Sequence, residues 1–361
     1  MQAGKKIVAG MLALALTIQG VPMQRGTAVQ AAGQTTETAP LQGTDGAITW
    51  KLTEQTSQQG WSQGDKKAYK LTITGKGVMP GYMHMSDGVN TPWQPYNDQI
   101  QTIAVAKGVT RVSEHAFEGM GELTSVTLPS TVTQVSREAF MYCQKLEKIT
   151  LPEALENIGD RAFNYCRALK SIVVPDQVTT IGSLAFAGCT SLESVSLGES
   201  VAQVQGSLFH ECGKLSTLTV AHGNASMRSE DNVLYNKDTS LLIRYAAGKS
   251  DTKFYVPGSV KTRGANAITH CSNLAELQIP SSVTKMDDYA VYYNSALSKL
   301  FFEGNAPKVS VVTSHTGIIG GNPQVYVYTV YNGAIRHNGK TGTDANKDIT
   351  LYKTAASTGW G

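Results

Sequence analysis

Residues Arg137 to Pro152 read REAFMYCQKLEKITLP. The same skeleton returns as RAFNYCRALKSIVVP from Arg161 to Pro175 and as LAFAGCTSLESVSLG from Leu184 to Gly198. An Ala-Phe pair, a Cys three residues after the Phe, a Leu three after that and an alternating run recur at a step of 23 residues. Phe117, Phe140, Phe163, Phe186 and Phe209 form one column, and Cys143, Cys166, Cys189 and Cys212 a second. Leu123, Leu146, Leu169, Leu192 and Leu215 form a third. The register begins in degraded form at Ile100, Ile103 and Val105, and after an interruption Cys271, Leu274, Leu277, Ile279 and Pro280 restore it. A fixed period of this length predicts a solenoid, in which each coil buries its apolar face only by stacking on its neighbours.

Each coil can be read locally. SVTLP alternates outward and inward residues as a short strand does, and Pro129, Pro152, Pro175 and Pro280 end that strand by removing a ladder donor. REAF, DRAF and SLAF send a small Ala and a large Phe inward from a helical or turn-like segment. The fold expected is an α/β repeat solenoid whose strands stack about 4.8 Å apart. Four positions break the pattern: Met120 opens the Cys column, Ile268 and Val291 stand where Phe is expected, and Arg263 occupies an inward aliphatic place. The coils after the interruption should therefore be looser than the five before it.

The cysteines have two readings. Cys suits a narrow buried corner, whereas an exported protein often oxidises its thiols. All five share one repeat position, where stacked side chains run parallel, and five cannot all pair. That favours free buried thiols. A ladder does not converge as tetrahedral zinc ligands must.

The chain has 361 residues, 41% hydrophobic and 16% charged, which is the composition of a folded protein. Residues 1–31 carry Lys5, Lys6 and Arg25 and no acid, so without them Lys+Arg falls from 31 to 28 against 28 Asp+Glu. That neutral remainder argues against nucleic acid or an anionic membrane as partner. Lys5 and Lys6 precede the apolar run IVAGMLALALTI, and Val29 with Ala31 supplies small residues at −3 and −1. Residues 1–31 thus read as a signal peptide cleaved after Ala31, giving an exported protein that is off the membrane.

The repeat unit resembles that of the bacterial BspA-like leucine-rich repeat proteins, in which Ala-Phe-x-x-Cys-x-x-Leu leads to Ile-x-Ile-Pro. The resemblance covers about residues 100–302. ITWKL, YKLTITGKGVMPGY and TPWQPY resemble the β-rich region before such repeats, and DNVLYNKDTSLLIRYAAGK resembles their hairpin excursion. Residues 32–46, polar with Thr, Gly and Pro, read as a flexible leader; the resemblance implies an N-terminal β-rich cap at 47–99, repeats at 100–221, a hairpin excursion at 222–250, further repeats at 251–306 and a β-rich region at 307–361. The resemblance also implies a secreted or cell-surface interaction or adhesion protein; the ligand expected is an extracellular protein or glycan, and the chain is expected to be a monomer. The alternatives are a glycan or cell-wall binding module beside a secreted enzyme, and a hydrolase with an unrecognised site.

No HExxH, GxSxG or P-loop pattern occurs. DANKDI, Asp344 to Ile349, starts like a calcium loop but lacks the Gly and the bidentate Glu, so it reads as a polar turn. No catalytic residue, metal ligand or cofactor is assigned. The binding candidates are the outward strand positions Ser125, Thr127, Lys148, Thr150, Ser171, Ser194, Ser196, Thr217 and Thr219, a flat row rich in hydroxyls. The second set is aromatic: Tyr289, Tyr292 and Tyr293, with Tyr326 and Tyr328 on one face of VYVYTVY.

Overall fold

The structure, a computed structural model, describes residues 41–55, 67–85, 88–204, 206–287 and 289–302. Beyond these it describes strand segments within 308–353. The expected signal peptide, residues 32–40 of the leader and the DANKDI loop lie outside the described residues. The molecule is a β-solenoid of about 9 turns of roughly 23 residues.

Each coil has three sides. Ile100–Val105, Ser125–Thr127 and Lys148–Ile149 pair in parallel on the first side, and Ser171–Val173, Ser194–Leu197 and Thr217–Val220 continue it. After a corner that carries Pro in every one of these coils but the first, Val109–Val112, Gln134–Val135, Asn157–Ile158 and Thr180–Ile181 form a parallel second side. The Ala-Phe segment makes the third side, and here the α/β expectation is corrected. Among the described residues the only helical pieces are 3-10 turns at Gln94–Tyr96 and Gly206–Phe209.

Local geometry explains the missing helix. The first four coils each place two residues in the left-handed region, four apart: His115 and Gly119, Glu138 and Tyr142, Arg161 and Tyr165, Leu184 and Gly188. The stretch between them is too short to nucleate a helix. Instead the N–H groups of His115, Phe117 and Gly119 all donate to the next coil, to Arg137 O, Ala139 O and Met141 O at 3.1, 2.9 and 2.8 Å. Glu138, Phe140 and Tyr142 repeat this toward Asp160, Ala162 and Asn164. The second side donates in the opposite sense, as when Gly159 N bonds Val135 O. The carbonyls facing back from the first coil would lack donors. Glu114 O, Ala116 O and Glu118 O receive Tyr82 N–H, the Trp93 indole N–H and the Asn97 amide instead. The antiparallel strands Gln42–Asp45, Ile48–Gln55 and Ala68–Gly75 extend the first side, the last of them pairing in parallel with Ile100–Val105.

The Phe column is the centre of the core. Phe117, Phe140, Phe163, Phe186 and Phe209 are wholly buried, with successive ring centroids 5.3, 5.3, 5.5 and 6.1 Å apart. All five cysteines are buried, unpaired thiols. Cys143, Cys166, Cys189 and Cys212 each donate Sγ–H, at 3.2 Å, to the carbonyl of the Phe in the preceding coil. Met120, at the head of that column, is a thioether with no S–H to donate. Burial drives these thiols well above the ordinary range, Cys212 to about 12.

At residues 227–245 the stack is interrupted. Met227–Glu230 and Val233–Asn236 form an antiparallel hairpin, and Leu241–Tyr245 returns to pair in parallel with Thr262–Arg263. Asn224 steers the chain into it, donating to Gly198 O and Val201 O and accepting from Ser226 N and Met227 N. Beyond the hairpin, Tyr245, Ile268 and Val291 hold the Phe column and belong to a separate apolar cluster. Asn294 takes the Cys position and donates to Ile268 O at 2.9 Å. Arg244, in the Ala column and wholly buried, donates to Phe209 O, Asn266 O and Thr269 Oγ1. It supplies by guanidinium the bond that a thiol makes elsewhere.

Candidate functional site

Strand alternation carries the hydroxyl-bearing residues outward on the first side. Ser125 is level with Lys148, Ser171 with Ser194 and Thr217, and Ser196 with Thr219. Ser125, Thr127, Lys148, Thr150, Ser171, Thr217 and Thr219 are exposed, and Ser194 and Ser196 half-buried. Val173, 65% exposed, interrupts the row. Among these described residues only Thr219 uses its hydroxyl internally, on Val195 O. The hairpin closes the row at its far end by side-chain acceptors: Asn232 Oδ1 takes Leu218 N–H and Ser229 Oγ takes Val220 N–H. Without them that strand edge would be open to pairing.

The aromatic candidates belong to the third side. Tyr289 and Tyr293 are left-handed residues of one coil, and Tyr292 lies between them with ring contacts at 4.9 and 4.2 Å. Burial, and then the bond with Tyr293, pushes the Tyr292 phenol up to about 12. His270 stacks on Tyr293 at 5.4 Å and meets His210 edge-on at 4.9 Å. Burial lowers the imidazole of His270 to about 4. Tyr326 and Tyr328 stand in the strand Tyr326–Tyr331, paired antiparallel with Ala334–Lys340, and their side chains lie outside the described residues.

Two further groups on this side escape the sequence reading. Tyr142 and Tyr165 stack at 5.3 Å and 13°, with Arg167 over the Tyr165 ring. Gly188 is needed beneath them, because a Cβ there would lie 2.5 Å from the Tyr165 ring. The Glu211 carboxylate reaches across and holds the Tyr165 phenol above its usual range. The second group joins the first coils. His115 Nδ1 is 2.5 Å from Glu118 Oε2 and 3.3 Å from Glu138 Oε2, all three buried, with His84 3.4 Å from Glu118. Arg161 and Arg137 approach Glu138 at 3.0 and 3.7 Å. The detectable signal for both groups was the column spacing at left-handed positions, His115-Glu138-Arg161 and Tyr142-Tyr165.

Among the described residues, His115, Glu118 and Glu138 form the group that could hold a metal ion. Their surroundings suit a proton better. Arg137 Nη2 lies 3.0 Å from His115 Nε2, and because Arg only donates, the imidazole proton is assigned to Nδ1, facing Glu118. Two guanidiniums already balance two carboxylates, so the cluster acts as a charge-neutral staple between the first two coils and the segment before them.

These coils and columns define a leucine-rich repeat protein. The profile of the BspA type leucine rich repeat region matches in six copies over residues 96–236 and 247–312, more than half of the chain, and the chain belongs to that family. A leucine-rich repeat protein from Eubacterium ventriosum is 26% identical, with 73% of this chain and 72% of that one covered and a TM-score of 0.59. A leucine rich cell surface protein from Faecalibacterium prausnitzii is 24% identical, covering 73% and 77%, with a TM-score of 0.50. The pneumococcal vaccine antigen PcpA is 18% identical, covering 74% and 83%, with a TM-score of 0.51. The last two likenesses speak for the fold. No curated protein matches the chain.

Proposed function

We propose that this protein is an exported or surface-held, non-catalytic scaffold that binds an extracellular protein through the strand face from Ser125 to Thr219. One observation carries the reading: a rigid parallel ladder presents hydroxyls in register that, Thr219 apart, have no internal partner. Coils about 4.8 Å apart hold them at fixed spacing, so many small polar contacts form without ordering loops. The family supports a protein-interaction repeat scaffold. The test is a binding screen of the protein against extracellular-matrix proteins and polysaccharides, repeated with Thr127→Glu, Thr150→Glu and Ser196→Glu combined. Protein binding weakened at least tenfold by the triple change supports the strand face; binding that ignores it removes that face from consideration.

The exposed tyrosines favour a second reading, glycan recognition on the third side. Tyr142 and Tyr293 are 40% and 46% exposed, and an aromatic ring offers a flat apolar face with a polar rim. Saturable polysaccharide binding lost in Tyr142→Ala or Tyr293→Ala would make this the better assignment.

A further inference from the structure

The inward column of the second side is aliphatic before the hairpin, where Val112, Val135, Ile158 and Ile181 fill it. After the hairpin it runs Leu242, Arg263, Met286, with Arg263 in ladder register with both. Arg263 has no exposed surface, and none of its three nitrogens Nε, Nη1 and Nη2 has a hydrogen-bond partner. Arg244, equally buried, contrasts with it. Its two terminal nitrogens reach Asn266 O and Thr269 Oγ1 at 2.6 Å and Phe209 O at 3.0 Å, leaving only Nε unpaired.

Among the described residues, neither guanidinium has a carboxylate beside it. The ionisable group acting on both is the thiol of Cys271, which burial keeps protonated by pushing it up to about 12. Burial lowers Arg263 to about 9, so it is still charged at neutral pH. Among the described residues, the interior around Cys271 therefore holds two fixed positive charges and no negative one. An uncompensated buried ion is among the costliest arrangements in a folded protein, and unpaired buried donors add to that cost. Water would meet the hydrogen bonds and leave the charge.

We propose that the coil interior at Arg263 binds a small monovalent anion, chloride in the first instance, seated on the guanidinium beside Cys271 and flanked by Leu242 and Met286. Charge and donor supply select this class. The donors left over at the site are the three nitrogens of Arg263, with apolar residues on either side in the column. A multiply charged oxyanion needs more donors than these. The site is independent of which outer face meets a partner.

The test is thermal unfolding of the full protein in sodium chloride, sodium bromide and sodium gluconate at equal ionic strength, for wild type and Arg263→Met. The wild type is expected to gain about 3 °C in Tm for each tenfold rise in halide above saturation. Arg263→Met should show no halide dependence and should be at least as stable as wild type in gluconate. A flat wild-type response overturns the proposal, and so does an equal rise in both proteins, because the halide then acts elsewhere. Crystals grown in bromide decide the matter if the variant does not fold. An anomalous peak within about 3.5 Å of the Arg263 nitrogens supports the site, and bromide found only elsewhere overturns it.

Discussion

The five coils before the hairpin and those after it are built on the same frame with different contents. Before it, Phe rings stack in an unbroken column and four thiols bond four Phe carbonyls. After it, Tyr245, Ile268 and Val291 share that column, the one cysteine bonds Thr269 O at a longer 3.6 Å, and two arginines enter the interior. The coil thus depends on its backbone ladders more than on any side chain, and the side chains set how tightly neighbouring coils close.

Alkaline titration separates the two blocks most strongly. A thiol whose native pKa is raised contributes stability that is full below its unfolded value, about 8.5, and is lost as pH rises toward the native value. The slope is about 1.4 kcal/mol per pH unit for each thiol. Four thiols before the hairpin give on the order of 5 kcal/mol per unit, against one thiol's share after it. The urea midpoint should fall steeply above pH 9, and Cys166→Ala, weaker at pH 8, should fall less steeply. An unchanged midpoint at pH 10 would show that the thiols are not sealed from solvent.

Core truncation comes next. Phe163→Ala should cost about 3 to 5 kcal/mol in urea unfolding, whereas Ile268→Val in the same column should cost about 0.5 to 1.5. A loss below 1 kcal/mol for Phe163→Ala would break the claim that the Phe stack is the core.

Coil spacing is probed by glycines. A Cβ at Gly182 would lie 2.3 Å from Asp160 N, while at Gly264 its nearest neighbour is Leu242 O at 3.3 Å. Gly182→Ala should cost about 1 to 3 kcal/mol, and Gly264→Ala should stay within about 1 kcal/mol of neutral. Equal losses in thermal melts would mean that the two blocks close equally tightly.

The smallest effect concerns the exposed ladder Lys145–Glu122 and Lys170–Glu147, at 2.5 and 3.0 Å. Lys170→Ala should change stability by less than about 0.5 kcal/mol. A larger loss, measured by urea unfolding, would reveal a cooperative charge network along this side.

Much of the frame was legible in the sequence because burial imposes a period. The Phe, Cys and Leu columns mark inward positions, and strict alternation in SVTLP marks outward ones. The third side was read as helical or turn-like because its decisive feature leaves little compositional trace. Left-handed residues are usually Gly or Asn, and here they are His115, Glu138, Arg161, Leu184 and Tyr165 as well. The polar and aromatic groups on that side follow from its turn geometry, so no alternation pattern pointed to them. Arg263 was visible as an intruder in an aliphatic column. The role of Arg244 was not, since a guanidinium in an Ala position reveals its purpose only when the Phe209 carbonyl is seen beside it.

The bonds of the third side run from backbone N–H to backbone carbonyl, whichever side chain the left-handed residue carries. Stability and recognition are therefore uncoupled there. Along the second left-handed column the occupants change from glycine to tyrosine and back, at Gly119, Tyr142, Tyr165 and Gly188, while the frame is unaltered. A lineage could rewrite this surface one residue at a time, trading charge for aromatic area, without reopening the folding problem. The strand sides have no such freedom, because a slip of one residue there exchanges surface for core.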